Sequence, residues 1–572
     1  MSRVLLSAVS ALALTACVAL PSLAANADTL AAPVVEAPAP AAPQAGTPHL
    51  IVTIAVDQLG SILFNQYRGR LTGGLHTLSE QGRVYQNGYQ AHALTETCPG
   101  HSTILTGANP ERTGIPANDW TGRTDGQEVY CLAAPQNTLA HGRNTDNGPV
   151  GPDQMRVDTL GDWLQARSPD SRVFAVSGKD RGAITLAGHH GKPFWYTVDF
   201  GFTTYVEPGQ TAADRLAPVA ALNARIAARL AANPVTWTYT NDACRALEGT
   251  WTVSGQTFNS TLPPAKLELD TSPTLDELTL EAATELLETQ QLGQRGVVDM
   301  LGVSLSATDR VGHTFGQQGP EMCEQMHRMD TALGAFLDKL ATVPGGVVLV
   351  LTADHGGSDF PERMHDNGHP HAGRVSSTLM SDLNRTLAAQ FQLSTPPLAS
   401  GGSGLMVVGE GGVPLANADL RARIVDATVE AVRANPQVAG AWSIEEIWAS
   451  PMPAVDKSPQ EYTLLERERL SAVPGRSPDI LIAFQPSLSP GRGRVGATIA
   501  GHGTPWDYDR RVPIVFWSPG VTVGQERPLA IRTIDIAPTL ANVIGVPTPD
   551  TVQGRCIDLG LFEGAPSCPA SR

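Results

Sequence analysis

One stretch near the start of the chain gives the first indication of fold class: His49-Leu50-Ile51-Val52-Thr53-Ile54-Ala55-Val56-Asp57. Its apolar and β-branched residues run without interruption, which is typical of a strand covered on both faces. Asp57 follows at once. Ligands of an open α/β sheet bind beyond the carboxyl ends of its strands. We therefore expect a buried parallel strand with Asp57 at the functional edge of its sheet.

Two later apolar runs have the same form. Residues 296–305 lead to Asp309 and His313, and residues 346–353 lead to Asp354 and His355. Further strands are predicted at 173–176, 479–484 and 512–517, and helices at 157–166, 278–289, 322–340 and 417–434. Strands that alternate with helices indicate an α/β fold with a mostly parallel central sheet flanked by helices.

The first 48 residues are predicted to lie outside this fold. Residues 1–27 resemble a secretory signal, with Arg3 as the single charge, an apolar run, and Ala25-Asn26-Ala27 as the cleavage site. An alternative interpretation makes Cys17 a lipidated N-terminus, but the cleavage site after the apolar run favours simple removal. Residues 28–48 are predicted to form an Ala/Pro-rich tether. The mature protein is therefore predicted to be periplasmic or extracellular, with no transmembrane segment.

The remaining chain, 49–572, is predicted to be one large domain with two insertions. Residues 188–273 are rich in aromatic side chains and show few β-α units, so we interpret them as an inserted lid. Residues 366–471 are also irregular and form the second predicted insertion.

Charge and cysteine content restrict the partners and the compartment. The formal net charge is −16, and −17 after Arg3 is removed with the signal, which argues against a nucleic-acid partner. Leaving Cys17 aside, six cysteines remain, an even number that suits an oxidising compartment. Six cysteines allow fifteen connectivities. Pairing neighbours in sequence gives Cys98 with Cys131, Cys244 with Cys323, and Cys556 with Cys568.

A candidate nucleophile lies in the segment Leu94-Thr-Glu-Thr-Cys-Pro-Gly-His-Ser-Thr-Ile-Leu-Thr-Gly107. It places hydroxyl groups and a Pro-Gly turn just before an apolar run that can begin a helix, whose free N–H groups favour an anion. Thr97 is the candidate nucleophile, while Thr95, Ser102 and Thr103 are competing hydroxyls. Cys98 is excluded as nucleophile if it is bridged.

Three short motifs have the residue types of a metal centre. Asp309 and His313 are four residues apart, so both can face one ion. Asp354 and His355 are adjacent at a strand end, and His502 lies between two glycines. Oxygen and imidazole ligands together suit Zn²⁺ with incompletely filled coordination.

Taken together, these motifs carry a family resemblance. The set is Asp57, Thr97 in Thr-Glu-Thr-Cys-Pro-Gly-His-Ser-Thr, Asn118 in Ile-Pro-Ala-Asn-Asp-Trp, Lys179 and Arg181 in Ser-Gly-Lys-Asp-Arg-Gly-Ala, Asp309-x-x-x-His313, Asp354-His355-Gly-Gly and Gly-His502-Gly. It resembles the alkaline phosphatase superfamily, and more narrowly the PafA/PhoK-type secreted alkaline phosphatases. The resemblance covers nearly the whole mature chain, so it implies that 49–572 is an alkaline-phosphatase-like catalytic domain.

The resemblance implies a two-zinc phosphomonoesterase. One zinc ion is expected on Asp309, His313 and His502. The other is expected on Asp57, Asp354, His355 and the Thr97 oxygen. Thr97 would form a covalent phosphothreonine, which water would then hydrolyse. Asn118, Lys179 and Arg181 would hold the phosphoryl oxygens, and we expect the two cations to share a face of an extended segment.

Three functions remain open from the sequence. The first is a secreted, zinc-dependent phosphatase that acts on small phosphate monoesters, because two cations beside the metals favour the greater charge of a monoester. The second is a nucleotide pyrophosphatase/phosphodiesterase of the same superfamily, with less need for Lys179 and Arg181. The third is a non-catalytic secreted protein that binds zinc without turnover.

Overall fold

The structure is a computed structural model that describes residues 46–141, 148–561 and 567–569. The predicted signal at 1–27, Cys17 and the tether up to residue 45 lie outside the described residues, so these predictions stay untested. The described residues fall within one compact unit, 42–572.

Strands are found along the whole described chain. In order they are β1 Leu50–Val56, β2 Arg83–Tyr89, β3 Asp119–Thr121, β4 Glu128–Tyr130, β5 Thr138–Leu139, β6 Val173–Ser177, β7 Lys192–Thr197, β8 Gly201–Thr203, β9 Tyr205–Val206, β10 Gly249–Val253, β11 Gln256–Ser260, β12 Asp299–Leu305, β13 Val347–Thr352, β14 Gly373–Arg374, β15 Leu398–Ser400, β16 Gly404–Val407, β17 Val438–Ser443, β18 Ile480–Phe484, β19 Leu488–Ser489, β20 Arg511–Trp517, β21 Gln525–Arg527 and β22 Ile531–Arg532.

Helices alternate with these strands. In order they are α1 Ser61–Tyr67, α2 Gly74–Gln81, α3 Thr97–Thr106, α4 Pro110–Thr113, α5 Leu160–Arg167, α6 Asp180–Ala187, α7 Ala212–Leu216, α8 Ala220–Ala232, α9 Asp242–Arg245, α10 Thr274–Thr289, α11 Ala307–Phe315, α12 Pro320–Leu340, α13 Pro361–Asp366, α14 Leu379–Phe391, α15 Ala418–Arg433, α16 Ile444–Ala449, α17 Leu464–Ser471, α18 Asp507–Arg510 and α19 Ile536–Val543. Short 3₁₀ turns lie at Leu269–Thr271, Glu410–Gly412, Pro459–Glu461 and Thr533–Asp535.

A ten-stranded sheet forms the centre of the molecule, in the order β21-β2-β20-β13-β1-β12-β6-β7-β8, with β22 also paired to β2. The neighbours from β13 through β1, β12 and β6 to β7 all run parallel. In the register, Val56 lies opposite Leu305 of β12, and Ala55 lies opposite Thr352 of β13. These three strands therefore end at the same edge of the sheet.

The prediction that both faces of β1 are buried is confirmed. Leu50, Val52 and Ile54 belong to one buried cluster, and Ile51 and Ala55 belong to another on the opposite face. All five side chains are fully buried. Burial of apolar surface on both faces is what makes an uninterrupted apolar strand stable in the interior.

Two predicted strands differ from a simple parallel arrangement. Strand β20, predicted at 512–517, joins the central sheet antiparallel to both β13 and β2. Strand β18, predicted at 479–484, lies instead in a separate four-stranded sheet, β15-β16-β18-β17, whose pairs are antiparallel. The local pattern identified each strand, while its direction and partners depend on contacts distant in sequence.

The two predicted insertions have different relations to the central sheet. The first part of 188–273 belongs to that sheet, because β7 pairs with β6 and β8 pairs with β7. The part outside the sheet begins after β8 and includes the β10–β11 hairpin. The segment 366–471 contributes strands of the separate four-stranded sheet and the helices α14 and α15 that pack on it. The roles of these segments, including that of a lid, stay predictions.

The predicted disulfide pairs are confirmed. Cys98 is bonded to Cys131, Cys244 to Cys323, and Cys556 to Cys568. The bond at Cys98 removes its thiol as a candidate nucleophile. Within the described residues, no helix combines the length and apolar character needed to cross a membrane.

Candidate functional site

Four neighbouring parallel strands deliver polar side chains to one edge of the central sheet. Asp57 follows β1, Lys179 follows β6, Asp309 lies in the first turn of α11 after β12, and Asp354 and His355 follow β13. The carboxyl ends of parallel strands form the crevice in which α/β proteins bind ligands. The fold thus brings distant parts of the chain to one place, as the sequence motifs predicted.

The first group of potential metal ligands contains Asp309, His313 and His502. Each offers one ligand atom, and these atoms lie within 4.8 Å of one another. Asp309 Oδ1 is 3.3 Å from His313 Nε2 and 3.4 Å from His502 Nε2. The two Nε2 atoms are 3.1 Å apart. All three atoms therefore face a common point.

The second group contains Asp57, Asp354 and His355, which are fully buried, with ligand atoms within 4.8 Å of one another. His355 Nε2 is 3.6 Å from Asp57 Oδ1 and 3.3 Å from Asp354 Oδ2. Asp57 Oδ1 and His355 Nε2 have no hydrogen-bond partner among the described residues. Buried polar atoms are rarely left without a partner, so this group fits a cation.

The histidine tautomers also fit metal binding. His313 Nδ1 lies 2.9 Å from the Ala500 carbonyl oxygen. His355 Nδ1 lies 2.9 Å from the Gly356 carbonyl oxygen, and His502 Nδ1 lies 2.7 Å from the Thr95 carbonyl oxygen. A carbonyl oxygen can only accept, so each Nδ1 carries the proton. With its proton on Nδ1, a neutral ring presents an unprotonated Nε2 to the site, the arrangement in which histidine binds metals.

The carboxylates attract positive charge to this edge of the sheet. Burial, followed by the negative charges of Asp309 and Asp354, raises the pKa of Asp57. Lys179 lies between the two groups, and its Nζ donates to Asp57 Oδ2 at 2.5 Å and to Asp309 Oδ2 at 2.6 Å. Burial lowers the pKa of His502, but hydrogen bonding and the charge of Asp309 outweigh it and raise this pKa to about 9.

Thr97 is distinguished from the neighbouring hydroxyl residues by its hydrogen bonding. Thr95 Oγ1 donates to the Thr504 carbonyl at 2.9 Å, Ser102 Oγ to a carbonyl at 2.8 Å, and Thr103 Oγ1 to another at 2.7 Å. The Thr97 hydroxyl has no hydrogen bond to any described residue. Thr97 is also the first residue of α3, where the helix dipole favours negative charge.

Asn118 is tied to the start of α3. Its Oδ1 accepts from the Cys98 N–H at 2.8 Å, and its own N–H donates to Glu96 Oε2 at 2.7 Å. The Cys98–Cys131 disulfide fastens the same region, since the Cys131 N–H donates to the Asn118 carbonyl at 2.8 Å. The side-chain NH₂ of Asn118 is left to donate to a ligand.

The expected shared face of Lys179 and Arg181 on an extended segment is wrong. Helix α6 begins at Asp180, so Lys179 is its N-cap and Arg181 lies in its first turn. Burial lowers the pKa of Arg181, but interactions with Tyr130, Asp180 and Asp57 outweigh it and raise this pKa. Its buried Nε has no hydrogen-bond partner in the described part of the chain.

Two residues that the sequence analysis did not select support the site. Gln58 connects both groups, because its N–H donates to Asp354 Oδ1 at 3.1 Å and its Nε2 donates to Asp309 Oδ1 at 2.8 Å. Its φ of +68° is uncommon outside glycine. His101 Nδ1 is 3.0 Å from both the Thr97 carbonyl oxygen and Asp354 Oδ2. The sequence signal for Gln58 was its position directly after Asp57. The signal for His101 was its spacing of four residues from Thr97.

Two further clusters combine residue types that can bind a metal, but their side chains are engaged in other bonds. Cys244 and Cys323 lie near His327, yet their sulfurs are joined in a disulfide. Asp162 lies near His189, but its Oδ2 caps helix α5 by accepting from the Thr159 N–H at 2.8 Å.

A cavity of about 410 Å³ opens beside the first ligand group. Asn118, His313 and His502 line it, so a molecule bound there can reach both the ligand group and the amide of Asn118.

Comparison with known proteins identifies the family of the chain. Residues 51–504 match the family model described as type I phosphodiesterase / nucleotide pyrophosphatase. The chain is 39% identical over 528 residues to alkaline phosphatase PhoK of Sphingomonas sp, which covers 90% of this chain and 91% of that protein. It is 36% identical over 543 residues to alkaline phosphatase PhoD of Zymomonas mobilis subsp. mobilis. This match covers 92% of this chain and 90% of that protein.

A solved structure has the same fold. The crystal structure of alkaline phosphatase PafA matches with a TM-score of 0.76 at 24% identity, over 89% of this chain and 98% of that one. This likeness confirms the predicted α/β architecture with a mostly parallel central sheet. The chain belongs to the type I phosphodiesterase / nucleotide pyrophosphatase family of the alkaline phosphatase superfamily, and it is an enzyme of the alkaline phosphatase class.

Proposed function

We propose that the protein is an exported, zinc-dependent phosphatase that hydrolyses phosphate monoesters to inorganic phosphate and an alcohol. One observation carries the proposal: Thr97, whose hydroxyl has no hydrogen bond to any described residue, is the first residue of α3. His101 of the same helix contacts both the Thr97 carbonyl oxygen and Asp354 of the second ligand group. The names of the two curated relatives, both alkaline phosphatases, support the same activity. The three disulfides and the predicted signal support export.

The residues that would hold the metal are the two groups described above. Asp309, His313 and His502 would bind one zinc ion, and Asp57, Asp354, His355 and the Thr97 oxygen would bind the other. Bound zinc supplies positive charge that favours the ionised form of a hydroxyl group and stabilises negative charge on the attacking and leaving oxygens.

Thr97 is proposed as the nucleophile. Its Oγ loses its proton and forms a bond to phosphorus, while the ester oxygen leaves and takes up a proton to become the alcohol. Water then attacks the phosphothreonine, which releases inorganic phosphate and restores the hydroxyl group. The positive end of the α3 helix dipole favours the phosphoryl charge next to Thr97.

Three side chains would hold the phosphoryl group. The free NH₂ of Asn118 and the guanidinium of Arg181 can donate to non-bridging oxygens. The ammonium of Lys179 contacts Asp57 and Asp309. When these carboxylates serve as metal ligands, the ammonium is available to the phosphoryl oxygens.

The substrate class follows from this charge. A phosphate monoester dianion has more charge on its non-bridging oxygens than a diester, so Lys179 and Arg181 favour the monoester. The alternative is a nucleotide pyrophosphatase/phosphodiesterase, which the description of the matching family favours.

The test compares kcat/KM for 4-nitrophenyl phosphate and bis(4-nitrophenyl) phosphate on enzyme stripped with chelator and reconstituted with zinc. A zinc-restored preference for the monoester supports the phosphatase. A preference for the diester supports the alternative, and bound zinc without turnover of either substrate supports a non-catalytic protein.

Variants of the two cations test the substrate argument directly. Lys179→Ala and Arg181→Ala should each lose far more activity on the monoester than on the diester. Arg527→Ala is the matched control, because Arg527 is exposed on β21. Equal losses on both substrates would contradict the role of Lys179 and Arg181 in substrate choice.

A further inference from the structure

The cavity beside the first ligand group has a basic wall. Besides Asn118, His313 and His502, its lining includes Arg374, Arg492 and Arg494. The last two come from the short sequence Gly491-Arg492-Gly493-Arg494. Positive charge here contrasts with the net charge of −16 of the whole chain. The cavity is therefore a local exception to an acidic protein.

The charges around this cavity are not all compensated. Arg374 donates to both oxygens of Glu362 through Nε and Nη2, each at 2.9 Å. Glu96 also lines the cavity, but its Oε2 accepts a backbone N–H at 2.7 Å. The exposed side chains of Arg492 and Arg494 have no ion pair or hydrogen bond with any described residue. Two guanidinium groups are therefore available to a bound anion.

Backbone contacts hold the segment that carries these arginines. The Gly493 N–H donates to Ser254 Oγ at 3.0 Å, and the Val495 N–H donates to Gln256 Oε1 at 3.0 Å. Further along, the Ile499 N–H donates to the His313 carbonyl at 2.8 Å. The segment is thus fixed at one end to the β10–β11 hairpin and at the other to the first ligand group. Fixed backbone lowers the entropic cost of presenting both arginines to a ligand.

The direction of the reaction places the leaving group on this side. Thr97 is associated with the second ligand group, since His101 Nδ1 contacts both the Thr97 carbonyl oxygen and Asp354. In an in-line displacement the leaving oxygen departs opposite the attacking oxygen. Attack from the side of the second ligand group therefore directs the leaving oxygen toward His313 and His502, which line the basic cavity.

We propose that Arg492 and Arg494 bind a second phosphate on the leaving group, so that the preferred substrates are phosphate monoesters whose alcohol carries a further phosphate. Sugar bisphosphates and nucleoside bisphosphates share this chemistry. The proposal rests on the proposed phosphatase activity and extends it from the phosphoryl group to the leaving group. A guanidinium can donate two parallel hydrogen bonds to a phosphate, which a neutral leaving group cannot accept.

The test uses two substrates with the same kind of leaving oxygen. These are pentane-1,5-diol bisphosphate and 5-hydroxypentyl phosphate, both primary alkyl esters, with release of inorganic phosphate measured on the zinc-loaded full chain. We expect a higher kcat/KM for the bisphosphate. In the double variant R492Q/R494Q, the ratio of the two kcat/KM values should fall about tenfold, mainly through KM of the bisphosphate.

Controls separate the possible outcomes. The double variant R70Q/R527Q removes two exposed arginines that do not line this cavity and should keep the ratio of the wild type. The ratio should also decrease with added NaCl, because exposed charges are screened. If both substrates are hydrolysed but R492Q/R494Q leaves the ratio unchanged, the inference is wrong while the phosphatase stands. If neither substrate is hydrolysed, the proposed function fails and the inference fails with it.

Discussion

A buried carboxyl group on helix α17 should make the protein less stable as the pH rises. The Glu468 residue is 6% exposed, and no described residue hydrogen-bonds to its carboxyl group or pairs with it. Burial alone raises its pKa from the ordinary value of 4.5 to about 8. The folded state therefore holds a proton that the unfolded chain releases. This contribution is fully present below pH 4.5, is lost as the pH rises to about 8, and changes no further above it.

The size of this effect follows from the two pKa values. Between pH 5 and pH 9, the difference between 4.5 and about 8 removes about 4 kcal/mol from the free energy of unfolding. The variant Glu468→Gln has the same shape and cannot ionise. Any fixed cost of burying the amide is the same at both pH values. The stability of the variant relative to the wild type should thus rise by about 4 kcal/mol from pH 5 to pH 9.

Urea unfolding, followed by tryptophan fluorescence at pH 5, 7 and 9 with the disulfides intact, measures this difference. Protonation of the zinc ligands acts on both proteins and cancels in the comparison. Glu430→Gln is the control, because Glu430 is an exposed glutamate on helix α15. The reasoning is refuted if Glu468→Gln and the wild type lose stability in parallel over this pH range.

Three further predictions concern the site. Thr97→Ala should lower kcat at least about 1000-fold while circular dichroism and most zinc binding are retained; wild-type activity would remove Thr97 as nucleophile. Gln58→Gly keeps the positive φ accessible but deletes the bridging amide, so zinc affinity in a chelator competition should fall about 10- to 100-fold; unchanged affinity would contradict its supporting role. A Cβ on Gly100 would lie 2.1 Å from the Asp354 carbonyl oxygen, so Gly100→Ala should displace α3 and lower kcat about 100-fold. Gly69→Ala, which meets nothing within 4 Å, should be neutral.

Local signals in the sequence predicted individual elements well. Helix α15 was predicted at 417–434 and spans Ala418–Arg433, with the Asn417 side chain accepting the Leu420 N–H at 3.0 Å as its N-cap. A cap and a following Asn-Pro are local features, so the residues themselves reveal the ends. The sheet to which β18 belongs was not predictable in this way, because an edge or partner strand is selected by packing between distant segments.

The same distinction applies to the site. The spacing indicated that Asp309 and His313 can face one ion, while the grouping of His502 with them came from the family resemblance. The sequence analysis assigned Lys179 to the site but expected it in an extended segment. In the structure α6 begins directly after Lys179. Its contacts with both carboxylate groups depend on the order of four strands in the sheet.

Residues that support the ligands are harder to predict than the ligands themselves, and Gln58 shows why. Gln58 acts through one backbone N–H and one side-chain amide. Many residues have these groups, so the residue type alone does not indicate the role of Gln58. What makes it effective is a φ of +68° directly after β1, which turns both donors toward carboxylates from different strands. Such a conformation costs free energy and persists only where surrounding contacts determine it. The bond from Gln317 Nε2 to Gln58 Oε1, at 3.0 Å, is one such contact. The geometry of the two carboxylate groups thus depends on a bridge that only the folded chain reveals.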